Sequence, residues 1–246
     1  MAKHDYIISD VHLGAVPDGT ERSLVRFLEQ VGNDAASLLV AGDLFDFWFE
    51  YGDVIPGRYF RTLAALARLV DAGMPVLLVG GNHDAWGGRF LREQVGVDFR
   101  ADPFHMLLGG LRALIAHGDG VGAGDFKYRA LKTVLRSRAA IAAFRALHPE
   151  LGVRLARAVS RTEAKTDEEI IAEGRAAFLD AWATDQLRAD PSLRLVVCGH
   201  AHLPVVKQVE PGRYYVNAGD WVTHFTYITV TADGPNLHTW PGGFGA

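Results

Sequence analysis

The chain's 246 residues suffice to bury a sizeable core, as one large domain or two small ones. A hydrophobic share of 49% excludes a disordered or fibrous chain, and the lone cysteine, Cys198, excludes a disulfide framework or a cysteine-based zinc site. The formal charge of −4 conceals a basic block: residues 127–165 carry ten Lys and Arg against two acids, Glu150 and Glu163. That imbalance points to an anionic partner for the block.

In chain order, short apolar runs alternate with helical patterns. Tyr6-Ile7-Ile8 ends in Ser9-Asp10-Val11-His12. Residues 20–32 read as a helix with Thr20 as N-cap and Leu24, Phe27, Leu28 and Val31 on one face. Leu38-Leu39-Val40-Ala41 ends in Gly42-Asp43, and Pro56 opens a second helix that stops near Gly73. Val76-Leu77-Leu78-Val79 ends in Gly80-Gly81-Asn82-His83-Asp84, and Leu114-Ile115-Ala116 ends in His117-Gly118-Asp119. Residues 121–165 break the rhythm as a helical insertion, with apolar faces at Leu131, Val134 and Leu135, at Ile141 and Phe144, and at Leu151, Leu155 and Val159. Thr166-Asp167-Glu168-Glu169 reads as a capping box for a helix running to about Leu187. Leu195-Val196-Val197-Cys198 ends in Gly199-His200-Ala201-His202, and β-rich runs in 203–240 add further strands. Strand runs that are apolar throughout are covered on both faces. The expectation is a single α/β domain over 1–246, a sandwich with helices outside.

The strand-end loops hold the chemistry. Ligands in α/β sheets bind beyond the carboxyl ends of strands, so five such loops can meet at one place. Asp10 and His12 share an i, i+2 spacing, as do His200 and His202, a pair that could be split between two ions. Asp43 can bridge with both carboxylate oxygens; Asn82 and His117 add an amide oxygen and an imidazole. This oxygen and imidazole set suits manganese, iron, zinc or magnesium. Two ions about 3.5–4 Å apart can generate hydroxide and clamp a phosphoryl group.

The ordered set Asp10-x-His12, Gly42-Asp43, Gly81-Asn82-His83-Asp84, His117 and Gly199-His200-Ala201-His202 resembles the calcineurin-like metallophosphoesterases. The resemblance implies a four-layer α/β/β/α fold and two divalent metal ions. It places Asp10, His12, Asp43 and His202 on one ion, and Asp43, Asn82, His117 and His200 on the other. Ser9-Asp10-Val11-His12-Leu13-Gly14, Gly42-Asp43-Leu44-Phe45-Asp46-Phe47-Trp48 and the insertion are similar, more narrowly, to the UDP-2,3-diacylglucosamine hydrolases of lipid A biosynthesis. That likeness implies manganese and pyrophosphate cleavage of a lipid-linked nucleotide sugar to UMP and 2,3-diacylglucosamine 1-phosphate. It also implies that 121–165 forms a lid over the acyl chains. Tyr128, Ser160 and Lys165 match lid positions that contact the sugar phosphate, alongside Asn82, His83 and His200 as substrate contacts. Asn82, His83 and Asp84 are the expected catalytic set, with His83 oriented by Asp84. In the proteobacterial members an Arg stands at the position of His83. A sugar 1-phosphate leaves with little protonation, since its second pKa is about 6, so either residue can serve.

Other readings stay open. Another calcineurin-like phosphoesterase could act on a nucleotide, a phosphodiester or a phosphoprotein. A nuclease would want a broad basic groove, whereas the basic residues here are confined to the insertion, so no nucleic-acid partner is expected. A non-catalytic scaffold would typically have lost ligands that this chain keeps. Phe47-Trp48-Phe49 reads as core packing or as a wall for uracil or sugar, and Asn217-Ala218-Gly219-Asp220-Trp221 as a turn beside the site. No run of 18 apolar residues and no apolar signal segment occurs. The expected location is cytoplasmic, touching the inner-leaflet membrane surface peripherally, with no obligate protein partner.

Overall fold

The structure is a computed structural model that describes residues 3–101, 103–122, 126–155 and 168–242, without the side chains of 126–129, 131 and 168–172. Two sheets carry it. In the first, β1 (His4–Ile8), β2 (Ala35–Val40), β3 (Val76–Val79) and β4 (Asp98–Arg100) run parallel in that order. The second orders β5 (Phe104–Leu108), β6 (Leu111–Ile115), β7 (Leu195–Cys198), β8 (Val205–Glu210) and β9 (Arg213–Asn217) as β5-β6-β7-β9-β8. Within it β6, β7 and β9 are parallel neighbours. Antiparallel β10 (Thr226–Thr231) and β11 (Gly234–Thr239) complete the first sheet beyond β1.

Alternation sets the layers. Ile7, Leu39, Val79, Ile115, Val197 and Val216 point between the sheets into one buried core. Their neighbours point outward. Ile8, Leu38, Val40 and Leu78 meet Leu24, Phe27, Leu28 and Val31 of α1 (Asp18–Asp34) and Leu63, Leu66 and Leu69 of α2 (Phe60–Asp71). Past α3 (Phe126–Leu135) and α4 (Arg138–Arg145), α5 (Glu168–Ala189) covers the second sheet with Leu179, Ala183 and Leu187 on Leu114, Val196 and Cys198. The order is helices, sheet, sheet, helix, which is the expected four-layer fold.

Two helix starts differ from the sequence reading. Helix α1 begins at Asp18 behind Pro17, and Thr20 lies buried inside its first turn. The acids Asp18 and Glu21 supply the favourable charge at that end instead of a hydroxyl cap. Pro56 leads into one turn of 3₁₀ helix, Gly57–Tyr59, and α2 starts only at Phe60. Strands β4, β5 and β11 carry no run that the sequence reading picked out; each is an edge strand. Among the described residues, no helix is long and apolar enough to cross a membrane.

Candidate metal centre

The carboxyl ends of β1, β2, β3, β6 and β7 open on one edge of the sandwich. Asp10, His12, Asp43, His200 and His202 leave those ends with φ between 50° and 65°, a left-handed backbone that non-glycine residues rarely take. The turns demand glycine beside them. Gly42 has φ 103°, and a β-carbon there would strike the His117 ring; one on Gly81 would strike the Asp43 carboxylate. The backbone therefore closes to contact around the two side chains it presents.

Two groups of donors result. In one, His12 Nε2 lies 3.2 Å from His202 Nε2, and His202 Nε2 lies 3.5 Å from Asp10 Oδ1. In the other, His117 Nε2 lies 3.2 Å from Asp43 Oδ2 and 3.2 Å from Asn82 Oδ1, while His200 Nδ1 lies 3.1 Å from Asn82 Oδ1. Asp43 joins the groups, with Oδ2 3.9 Å from His12 Nε2. His200 and His202 thus fall on opposite sides, as their spacing allowed. Asp10, Asp43 and His117 are buried to 1% exposure or less.

The donor chemistry fits divalent ions. The His117 Nδ1 hydrogen points to the Ala41 carbonyl at 2.9 Å, which leaves Nε2 facing two oxygens. Either a proton on Nε2 or a bound cation satisfies them. Donors bound to one ion at about 2.0–2.2 Å stand roughly 3 Å apart, close to the spacings found here. Protonation shifts tell the same story in the metal-free chain. Burial pushes both His12 and His200 down to about 3, so they are uncharged and ready to coordinate. Burial also opposes charge on His117, but the Asp43 carboxylate prevails and holds it well above its usual value. Burial works against charge on Asp43 as well, yet His117, His83 and His12 hold it well below the carboxylate range.

The expected catalytic loop is assembled differently from its sequence reading. Asp84 does not orient His83. Its carboxylate accepts backbone N–H bonds from Leu44 and Gly81 at 2.8 Å each and from Phe45 at 3.3 Å, tying the Asp43 turn to the Asn82 turn. Burial and the Asp43 charge push it up to about 7. The His83 ring instead meets Asp46: Nδ1 lies 2.9 Å from its carbonyl and 3.5 Å from its carboxylate. Asp46 lies three residues beyond Asp43, inside a motif quoted for the resemblance but with no role assigned to it there. His83 stands edge-on to His12, with ring centres 4.8 Å apart.

Asp220 sits where the sequence placed a turn. Its Oδ1 accepts the backbone N–H of Val222, Thr223 and His224, and its Oδ2 lies 2.9 Å from His224 Nδ1 and 3.8 Å from His202 Nδ1. Phe47-Trp48-Phe49 divides. Trp48 is fully buried against Phe45 and Tyr59, whereas Phe47 and Phe49 pack with Trp86 against Phe144 of α4.

The insertion is pinned to the site. Trp86 Nε1 donates to the Leu135 carbonyl at 3.1 Å, Arg136 donates to the Gly81 carbonyl at 3.2 Å, and Lys132 Nζ meets the Asp119 carboxylate at 2.8 Å. In sequence, Arg136 and Lys132 read only as part of a charged block. Val134, Leu147, Leu151 and Leu155 are exposed, and α4 has no buried residue. Tyr128 lies in α3, with its side chain outside the described residues, as are Ser160 and Lys165 altogether.

A calcineurin-like phosphoesterase family model matches residues 6–204, from β1 to just past His202. The chain is 28% identical, over 251 aligned positions, to a Porphyromonas gingivalis protein named UDP-2,3-diacylglucosamine hydrolase, covering 92% of this chain and 94% of that one. It is 32% identical over 219 positions to a protein of the same name from Aeromonas salmonicida, covering 87% and 84%. A third of that name, from Ralstonia nicotianae, is 29% identical over 223 positions, covering 88% and 83%.

Proposed function

The chain belongs to the calcineurin-like phosphoesterases, and within that family we propose that it hydrolyses the pyrophosphate bond of UDP-2,3-diacylglucosamine to UMP and 2,3-diacylglucosamine 1-phosphate. The observation that carries this reading is the convergence of seven donors into two groups sharing Asp43, in a chain of nearly the full length of the hydrolase-named relatives. Asp10, His12, Asp43 and His202 would hold one divalent cation, and Asp43, Asn82, His117 and His200 the other, with manganese as the expected metal. When bound, such a pair acidifies water and neutralises charge on the phosphoryl group.

The chain's own residues do the rest. With Nδ1 engaged by the Asp46 carbonyl, His83 would present Nε2 to a phosphoryl oxygen. Asn82 turns Oδ1 to the imidazoles, so its amide nitrogen is the group left to donate to substrate. The departing sugar phosphate needs little protonation, so His83 acts mainly by stabilising charge. Asp84 is a positioning residue that fixes the distance between Asp43 and Asn82.

Residues 121–165 would form a lid within the single domain. Exposed Val134, Leu147, Leu151 and Leu155 suit acyl chains, and the surrounding Arg and Lys suit phosphate or an anionic leaflet. Tyr128, Ser160 and Lys165 are its proposed contacts to the sugar phosphate. The protein would work in the cytoplasm, docked peripherally on the inner membrane. Purified protein supplied with manganese and the lipid substrate should release UMP. Release of only free phosphate from small esters would refute the reading.

A further inference from the structure

The loop of residues 218–225 joins β9 to β10 beside the donor cluster and supplies none of the seven donors. It lies beyond 6–204, the span that the family model matches. Hydrogen bonds sew it to two of the donor-bearing loops. Trp221 N donates to the Asp10 carbonyl at 3.1 Å, and Ser9 Oγ donates to the Gly219 carbonyl at 2.9 Å. On the other side Asn217 Nδ2 donates to the Gly199 carbonyl at 2.7 Å, next to His200. The buried carboxylate of this loop is Asp220, only 2% exposed. Its Oδ1 is held by three backbone N–H groups, at 2.8 Å from Val222, 2.6 Å from Thr223 and 3.1 Å from His224, which fixes the plane of the carboxylate. Its Oδ2 faces two imidazoles, His224 Nδ1 at 2.9 Å and His202 Nδ1 at 3.8 Å.

A ring that gives one nitrogen to a cation carries its hydrogen on the other. The group that receives this hydrogen sets the tautomer and the tilt of the ring. For His117 that group is the Ala41 carbonyl, with Nε2 turned to Asp43 and Asn82. His202 turns Nε2 to His12 and Asp10, so its Nδ1 faces Asp220. The gap closes to a hydrogen bond with about 1 Å of movement. The turn itself uses Oδ1, and the second oxygen is spent on imidazoles. Because the carboxylate is buried, water screens its charge little, and that charge favours a cation on the far side of the His202 ring.

We propose that Asp220 is a positioning residue for His202. It holds the Nδ1 hydrogen so that Nε2 stays aimed at the cation shared with Asp10, His12 and Asp43, and its reach ends at that ion. The proposal rests on the two-ion reading above. The other ion's ligands are braced elsewhere, through Asp84 and the Ala41 carbonyl.

The test titrates full-length, metal-free protein with manganese and follows the paramagnetic resonance signal of the free ion. Wild-type protein should take up two ions. Asp220→Asn keeps an acceptor for the three N–H groups and removes the charge. It should weaken uptake of one ion about ten- to hundredfold and leave the other within about twofold. The unfolding midpoint of the metal-free variant should stay near that of wild type. Thr226→Val deletes the hydroxyl bond to the Ala218 carbonyl and loosens the same loop without touching Oδ2, so both ions should bind as in wild type. Unchanged uptake by Asp220→Asn, equal weakening of both ions, or the same one-ion loss in Thr226→Val overturns the idea. Should Asp220→Asn fail to fold, Asp220→Ser, whose hydroxyl still caps the turn, has to show the one-ion loss. The two readings fail separately. Wild-type protein that binds fewer than two ions sinks the two-ion reading itself. Two ions in wild type with unaffected uptake in Asp220→Asn sinks only the positioning role.

Discussion

The donor cluster and the helical insertion solve opposite problems in one chain. Asp10, His12, Asp43 and His117 of the cluster are buried, and the cluster is cross-braced by backbone hydrogen bonds to Asp84 and Asp43 and held by five residues in left-handed backbone. Each such residue costs on the order of 1–3 kcal/mol, a strain that two packed sheets can hold in place. The insertion buries little, exposes its leucines and is fastened through Trp86, Arg136, Lys132 and the Phe144 aromatic cluster. Chemistry on a phosphoryl group needs donors fixed to fractions of an ångström. Under the proposed function, gripping two flexible hydrocarbon chains would call for a surface that adapts, and that surface is built from different elements than the donor cluster.

The comparison breaks first at Asp43. Asp43→Asn should lower kcat by roughly 10²–10³ or more, because it removes the charge shared by both donor groups. Metal titration of the variant should show weakened uptake at both positions; a variant that binds two ions normally would mean that Asp43 is no bridge. The insertion should respond in the other parameter. Trp86→Ala combined with Phe144→Ala should raise KM for the lipid substrate about tenfold, while turnover of a small phosphodiester stays near wild type. Equal losses on both substrates would show that the aromatic cluster supports the catalytic loops instead. Chelation tests the centre alone. Stripping metal should abolish hydrolysis and lower the thermal midpoint by about 5–10 °C, since ligands that bind only the native state stabilise it. Near-UV signals from Trp86 should change less than the midpoint does.

The smallest effect concerns pH. His12 and His200 sit near pKa 3 in the metal-free fold, against about 6.5 in an unfolded chain. Their contribution is therefore fully present above pH 6.5 and lost as pH falls toward 3. Metal-free His200→Gln should lose less stability than wild type between pH 7 and pH 5. Parallel denaturation curves for the two proteins across that range would contradict the burial of an uncharged His200.

Much of this was legible in one dimension. Strands buried on both faces wrote themselves as apolar runs, and each run that ended in a short Asp, His or Asn cluster became a strand end bearing a member of the donor cluster. Three of the edge strands were not legible. Asp98–Arg100, Phe104–Leu108 and Gly234–Thr239 each have a neighbour on one side only, so their composition carries polar residues and breaks the pattern. The helix starts at Asp18 and Phe60 slipped for a related reason: proline fixes an entry angle without fixing which residue closes the first turn.

Residue type and spacing along the chain determined the fold class and pointed to the candidate donors, and left open whether His200 and His202 part. Those properties follow from local pattern, because alternation and turn chemistry are set by neighbours in sequence. Only the tertiary structure decided that Asp46 and not Asp84 meets the His83 ring, that Asp84 spends its carboxylate on backbone N–H groups, and that Asp220 faces the His202 ring. Such pairings depend on how separate turns and helices are brought side by side, and no spacing rule within a single segment encodes that.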